Sequence, residues 1–117
     1  MRHRVKTERL NRNPAHLNAL LRNMATSLIL YEKIKTTEAR AKLVRVVVEK
    51  AITMVKKKDL SSAMRELNQF FPDKNASKKL TRELKDRYKD RPSGFTRVVK
   101  LGFRTGDAAP VVQLELV

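Results

Sequence analysis

The first twelve residues carry five cationic side chains that are suited to binding phosphate groups. These side chains are Arg2, Arg4, Lys6, Arg9 and Arg12. Guanidinium groups make forked hydrogen bonds to phosphate oxygens and also stack on bases. Only Glu8 opposes them, and the segment has too little apolar surface to fold alone. We therefore expect residues 1–12 to form an extended basic arm that binds a polyanion.

Other polar residues allow two interpretations. Asn11 and Asn13 can contact phosphates or base edges, although Asn13 is first of all a suitable helix cap. Arg97 and Lys100 lie on opposite faces of a predicted strand, where charge either binds a ligand or merely protects a sheet edge from aggregation. Arg104, beside a glycine turn, is expected to place a cation at a loop tip.

The residues needed for catalysis or metal binding are missing from the sequence. There is no cysteine, and the two histidines, His3 and His16, have no partner at metal-ligand spacing. Gly102, Gly106 and Asp107 fit a turn better than a phosphate-binding loop, because no helix follows them. The four phenylalanines are too few for a base-stacking platform, and we expect most of them in the core. We predict no enzyme activity, no metal and no cofactor.

Net charge supports a binding function. The 117 residues include 27 Lys and Arg against 12 Asp and Glu, which gives a net charge of +15. A field of this strength needs a polyanion, most commonly nucleic acid, to neutralise it. A hydrophobic fraction of 41% is enough for one modest core. With no apolar stretch long enough for a signal peptide or a membrane span, we expect an intracellular, cytoplasmic protein.

Periodicity and capping residues predict the helices. Asn13 and Pro14 begin a first helix, whose apolar residues recur at helical spacing to about Tyr31. An extended piece, 33–36, leads to a second helix that begins near Glu38 and ends at three lysines, 56–58. A third helix from Asp59 or Ser61 to about Phe70 and a fourth from Asn75 or Ala76 complete the set. The inward residues expected of these last two helices are Leu60, Ala63, Met64, Leu67, Leu80, Leu84 and Tyr88.

Alternation predicts two further strands near the carboxyl end. Residues 95–103 and 111–117 alternate apolar and other side chains, and a turn with Gly106 and Pro110 joins them into a hairpin. The segment near Ile34 is the candidate third strand. We therefore predict one compact α+β domain over residues 13–117, in the order α-β-α-α-α-β-β, with helices packed on a small mixed three-stranded sheet.

Six segments, in order, resemble the bacterial large-subunit ribosomal protein family L-seventeen. The segments are MRHR at 1–4, LNRN at 10–13, LLRNMATSL at 20–28, IKTTEARAK at 34–42, GFTRVVKLGFRTGDAAP at 94–110 and ELV at 115–117. The resemblance implies an α+β domain assembled on large-subunit ribosomal RNA near the nascent-chain exit region. It implies no catalytic activity, no membrane and no small-molecule substrate, and it implies neighbouring large-subunit proteins as further partners.

The same resemblance implies a set of RNA contacts. In the arm these are Arg2, His3, Arg4, Arg9, Asn11, Arg12 and Asn13, to which the charge pattern adds Lys6. On the following surface they are Arg22, Asn23, Lys35, Thr36, Thr37 and Lys42. On the hairpin they are Arg97, Lys100 and Arg104. A bacterial and an organellar ribosome both fit this resemblance.

Two other functions are compatible with the composition. A free-standing nucleoid or RNA-chaperone protein of broad specificity would bind unrelated DNA and RNA with similar affinity. A hydrolytic enzyme acting on nucleic acid would need paired carboxylates or a metal cluster, and the sequence offers neither. The ribosomal function remains the prediction with the most sequence support.

Overall fold

The computed structural model describes His3, Leu10 and residues 12–117. Most of the predicted arm therefore lies outside the described residues. This applies to five predicted RNA contacts, which are Arg2, Arg4, Lys6, Arg9 and Asn11. The rest of the chain folds into four helices and three strands in the predicted order, which confirms the α+β class.

The first helix, α1, spans Pro14–Tyr31 and is capped at both ends. The Asn13 side chain accepts a hydrogen bond from the His16 backbone N–H at 2.8 Å, which satisfies one of the free donors of the first turn. At the other end Glu32 adopts a left-handed conformation, with φ of 65°, and its N–H donates to the Leu28 carbonyl. Both predicted ends of this helix are confirmed.

The next two helices are α2, Glu38–Lys57, and α3, Leu60–Phe70. In α2 the valines recur every three or four residues and bury one face, so periodicity outweighs their β-preference. In α3 Ala63 and Leu67 are buried as predicted. Leu60 is 60% exposed, so its predicted inward position is wrong. It is the first residue of the helix and lies beyond the edge of the core.

The fourth helix, α4, changes its winding along its length. It is α-helical over Lys74–Lys79, π-helical over Leu80–Leu84 and α-helical again over Lys85–Arg87. The Asp73 side chain caps it by accepting from the Asn75 N–H at 2.8 Å. Leu80, Leu84 and Tyr88 are all buried, as their spacing predicted. The wider turn lies between the first two of these anchors.

The sheet consists of β1, Lys33–Thr37, β2, Thr96–Phe103, and β3, Pro110–Leu116, in the spatial order β1-β3-β2. Both pairings are antiparallel, so the prediction of a mixed sheet is wrong. β1 runs parallel to β2 but pairs with β3, which makes every hydrogen-bonded neighbour antiparallel. A backbone bond from the Leu116 N–H to the Glu32 carbonyl, 2.9 Å long, extends this pairing beyond β1.

The core lies between one face of the sheet and the helices. Val112, Leu114 and Leu116 on β3 are buried, as their alternation predicted. They belong to one cluster with the apolar faces of α1, α2 and α4. Phe71 and Phe95 are also buried, whereas Phe103 is 77% exposed and is an exception among the phenylalanines. Among the described residues no helix is long and apolar enough to cross a membrane.

Two leucines of α3 allow a matched test of this core. Leu67→Ala is expected to lower the free energy of unfolding by about 2–5 kcal/mol, because it leaves a cavity beneath a side chain that is 1% exposed. Leu60→Ala is expected to change it by no more than about 0.5 kcal/mol. Urea denaturation followed by circular dichroism measures both. Equal losses for the two variants would contradict the assigned orientation of α3.

Candidate nucleic-acid interface

A β-bulge near the end of β2 determines which side chains reach the hairpin tip. Lys100 lies opposite Val112, whereas Gly102 lies opposite Val111, so Leu101 is an extra residue on β2. The extra residue reverses the alternation, and Phe103 therefore faces the same side of the sheet as Lys100. Gly102 has a φ of +117°, a conformation that L side chains rarely adopt.

The hairpin tip is held by Arg104 and Asp107. The Arg104 Nε–H donates to the Asp107 Oδ1 at 3.0 Å, and the Ala109 N–H donates to the same oxygen at 3.2 Å. Backbone bonds between Arg104 and residues 108 and 109 close the loop, and Gly106 supplies a positive φ of +104°. Arg104 is thus at the loop tip, as predicted, with part of its hydrogen-bonding capacity used inside the loop.

The face of the sheet opposite the core is polar and cationic. The strand register places Lys33, Lys35 and Arg97 on this face, with Gln113 and Glu115 between them. The Arg97 Nε–H donates to Glu115 at 2.7 Å, which neutralises much of its charge. Lys35 is exposed and has no carboxylate within 4 Å among the described residues. It is therefore available to an external anion.

A cleft of about 520 Å³ joins the end of β1 to the hairpin. Its lining residues are Lys35, Thr36, Thr37, Arg40, Leu101, Gly102, Phe103, Arg104, Thr105 and Val111. None of these side chains is acidic. The fold thus brings the predicted residues 35–37 and Arg104 together, although more than sixty positions separate them in the sequence. We call this region the hairpin cleft.

A second polar surface lies on α1. Arg12 contacts the His16 ring at 3.2 Å, and the Arg22 guanidinium lies over the Phe70 ring, 5.1 Å from its centroid. Arg22 and Asn23 line a shallow cleft of about 530 Å³ with residues 68–72. Asn23 also lines a smaller cleft with Lys35. The predicted residues of α1 and β1 are therefore parts of one continuous surface.

The remaining predicted contacts are placed less favourably. Lys42 is exposed and lies 3.8 Å from Glu38, an ion pair within one helix turn. The side chain of Asn13 is occupied as the cap of α1. Lys100 and His3 are exposed. Lys100 and Arg97 lie on opposite faces of β2, as the alternation predicted.

Sequence reasoning missed two residues of this surface. Arg40 lies in the first turn of α2 and lines the hairpin cleft, and Lys33 lies on the outer sheet face with Lys35. The alternation of Lys33 and Lys35 around the inward Ile34 was a signal for a cationic strand face. Arg40 had no such signal, because its neighbours in the cleft come from the other end of the chain.

Ion pairs lower the pKa values of the carboxyl groups in this region. Hydrogen bonds, first from Arg104 and then from the Ala109 N–H, lower the pKa of Asp107 to about 2. The Arg97 side chain lowers the pKa of Glu115 in the same way. Both groups therefore stay ionised near neutral pH. Within the described part of the chain, no cluster of three or more His, Asp or Glu side chains could hold a metal ion.

The sequence model of the ribosomal protein L17 family matches residues 20–117. The chain belongs to this family. A protein of Desulforudis audaxviator named large ribosomal subunit protein bL17 is 54% identical over 109 residues, which cover 93% of this chain and 96% of that protein. Proteins of the same name from Rickettsia typhi and Syntrophotalea carbinolica are 47% and 49% identical over the whole chain, covering 85% and 75% of their own lengths.

Membership of the ribosomal protein L17 family confirms the resemblance found in the sequence. The family is a structural component of the ribosome and not an enzyme. The family model covers α1 from Leu20 onward, the sheet and the whole hairpin cleft. The surfaces described above therefore belong to the part of the chain that carries the family match.

The ion pair at the hairpin tip gives a pH test of this L17-family chain. The Asp107 carboxyl is expected to titrate near pH 2, below its unfolded value, so its stabilising contribution is complete above about pH 4 and is lost as the pH falls toward 2. Arg104→Gln should raise that midpoint toward about 3.9. Carboxyl chemical shifts in an NMR titration measure both values. Arg97→Gln, the control, should leave Asp107 unchanged, and a midpoint near 3.9 in the unsubstituted protein would contradict the pairing.

Proposed function

We propose that this chain is a structural constituent of the large ribosomal subunit that binds and stabilises large-subunit ribosomal RNA near the nascent-chain exit region. The observation that carries the proposal is the family match, together with full-length relatives named large ribosomal subunit protein bL17. These relatives are bacterial, which supports a cytoplasmic ribosome. Location near the exit region and the individual RNA contacts rest on the sequence resemblance.

Charge distribution supports RNA as the main partner. The net charge of +15 remains after every carboxylate is counted, and the outer sheet face and hairpin cleft carry cations without a matching number of acids. Phosphate contacts of this kind fix the orientation of a protein on RNA without reading its sequence. Double-stranded RNA is recognised mainly by shape and backbone contacts, which suits a rigid domain with a fixed cationic surface.

The three groups of predicted contacts have different tasks in this proposal. The arm, residues 1–12, occupies an RNA crevice, where its arginines bind phosphates. Arg22, Asn23, Lys35, Thr36 and Thr37 contact RNA along the surface that joins α1 to β1. The hairpin, with Arg97, Lys100 and Arg104, contacts a further RNA segment. Holding separate RNA helices in this way, and touching neighbouring large-subunit proteins, would stabilise the assembled subunit.

Sedimentation separates this proposal from a free-standing nucleic-acid-binding protein. Tagged protein from gently lysed cells should migrate with large subunits, at about one copy each, in a sucrose gradient at moderate and at high salt. Phosphate contacts alone weaken steeply as salt rises, so a loosely bound cationic protein would leave the peak. Loss at high salt, with spread into bulk nucleic acid, would favour the broad-specificity binder.

Removing the arm's charge should weaken assembly but not folding. The variant Arg2→Ala, Arg4→Ala, Arg9→Ala and Arg12→Ala should keep its circular dichroism spectrum and melting temperature, because these residues precede the folded domain. We expect its share in large subunits to fall at least about tenfold in competition with the unsubstituted protein, since several phosphate contacts are lost.

A matched control removes the same charge from exposed helical positions. It carries Lys57→Ala, Lys78→Ala, Arg82→Ala and Lys89→Ala, which are all exposed. This variant should enter large subunits nearly as well as the unsubstituted protein. Equal incorporation of the arm variant and the unsubstituted protein would disprove the role of the arm, and equal loss in both variants would reduce that role to net charge.

Location in the subunit can be tested with a tethered probe, because the sequence has no cysteine. An iron chelate attached to Ser61→Cys, at an exposed position on α3, generates hydroxyl radicals that cut nearby RNA. We expect the cuts to cluster in RNA segments around the exit of the nascent chain. The unsubstituted protein, treated identically, should give none. Cuts confined to the face that meets the small subunit would refute the proposed location.

A further inference from the structure

Phe103 is the most exposed large apolar side chain of the described structure and lines the hairpin cleft. It is 77% exposed, and Leu101 beside it is 48% exposed. Leaving an aromatic ring in water forgoes the gain of burying it, so such a position is typically explained by a binding partner. Neither the packing of the domain nor the hairpin turn requires an aromatic residue at this position.

The bulge in β2 directs Phe103 toward the cleft. Without the extra residue Leu101, strict alternation would place Phe103 on the outer sheet face with Arg97 and Val99. With the bulge it lies opposite Pro110, on the side of Val112, at a level where α2 is only beginning. The ring therefore borders the cleft instead of the core. Bulges commonly redirect a side chain in this way next to binding sites.

Cations surround this ring, and the cleft has no acid in its lining. Lys35, from β1, and Arg40, from the first turn of α2, both line it. Neither has a carboxylate within 4 Å among the described residues. Arg104 also lines the cleft but is paired with Asp107. An aromatic ring beside two unpaired cations matches the two parts of a nucleotide, its base and its phosphate.

We propose that the hairpin cleft holds one unpaired nucleotide of the large-subunit RNA, with its base stacked on Phe103 and its phosphate bound by Lys35 and Arg40. This inference rests on the proposed function and assigns a particular RNA element to one part of the surface. The cationic lining favours a nucleotide over a peptide strand added at the open edge of β2. A base is also the ligand that a flat, exposed ring accepts whatever its identity.

A fluorescent reporter can test the stacking, because the sequence has no tryptophan. Phe103→Trp introduces a single indole that should still stack, and its emission should be quenched when protein-free large-subunit RNA binds. Tyr31→Trp is the matched control. It replaces another exposed aromatic residue, 73% exposed, which precedes β1 and is separated from the cleft by the length of that strand. Its emission should change little in the same titration.

Affinity measurements test both halves of the site with the same RNA. Phe103→Ala should weaken binding about 5- to 100-fold, the range found when one base–aromatic stack is removed. Lys35→Gln and Arg40→Gln should each lower the slope of log affinity against log salt by about 0.7, the value for one phosphate of a single strand. Because all three side chains are at least partly exposed, the variants should fold, which circular dichroism would verify.

Three outcomes would overturn the inference. The first is full affinity of Phe103→Ala together with an unquenched Phe103→Trp indole. The second is a quench of equal size with blunt duplex RNA, which has no unpaired base. The third is a quench that appears only when other large-subunit proteins are added, which would make the occupant of the cleft a protein.

The proposed function is judged separately by sedimentation of the unsubstituted protein with large subunits. If that protein enters large subunits while Phe103→Ala binds RNA at full strength, only the nucleotide site fails. If the unsubstituted protein fails to enter them, the proposed function itself fails.

Discussion

The structure depends on the central position of β3, the last strand of the chain. It pairs with β1 on one side and β2 on the other, and its Val112, Leu114 and Leu116 supply the sheet's part of the core. Neither β1 nor the hairpin alone has enough apolar surface to be stable. Because β3 joins them, residues 35–37 and the hairpin tip become neighbours, and the cationic surface exists only once the last strand is in place.

A net charge of +15 opposes this compact arrangement, and the few acidic residues are placed where they counter it most. Glu32, at the end of α1, accepts from Arg87 at 2.9 Å and lies 3.1 Å from Lys79, so it ties α1 to α4. These partners, Arg87 first, lower the pKa of Glu32, which stays charged at neutral pH. Arg87 also donates to the Val117 carbonyl and thereby holds the end of β3. Acids therefore hold the junctions between elements, while Lys35 and Arg40 are left for an external anion.

Local signals in the sequence were sufficient to place every helix and strand within a few residues. The Asn13 cap, the valine periodicity of α2 and the alternation of Val112, Leu114 and Leu116 are all properties of neighbouring residues. Strand pairing is not such a property. Ile34 can be recognised as part of a strand, but its partner, Leu114, lies eighty residues away. The choice between β2 and β3 as that partner, and hence the mixed or antiparallel character of the sheet, depends on how the helices fill the space between.

Phe103 shows why the candidate site was harder to predict than the fold. Its type and its place in an apolar alternation both favour the core, and only the one-residue bulge at Leu101 turns it elsewhere. A bulge leaves a weak trace in sequence, here Gly102 with its positive φ, which reads equally well as part of the following turn. Regular periodicity describes the residues that build the core. Side chains that meet a partner are placed where the regular pattern is interrupted, so the same interruption that makes the sequence prediction fail also indicates where the surface is used.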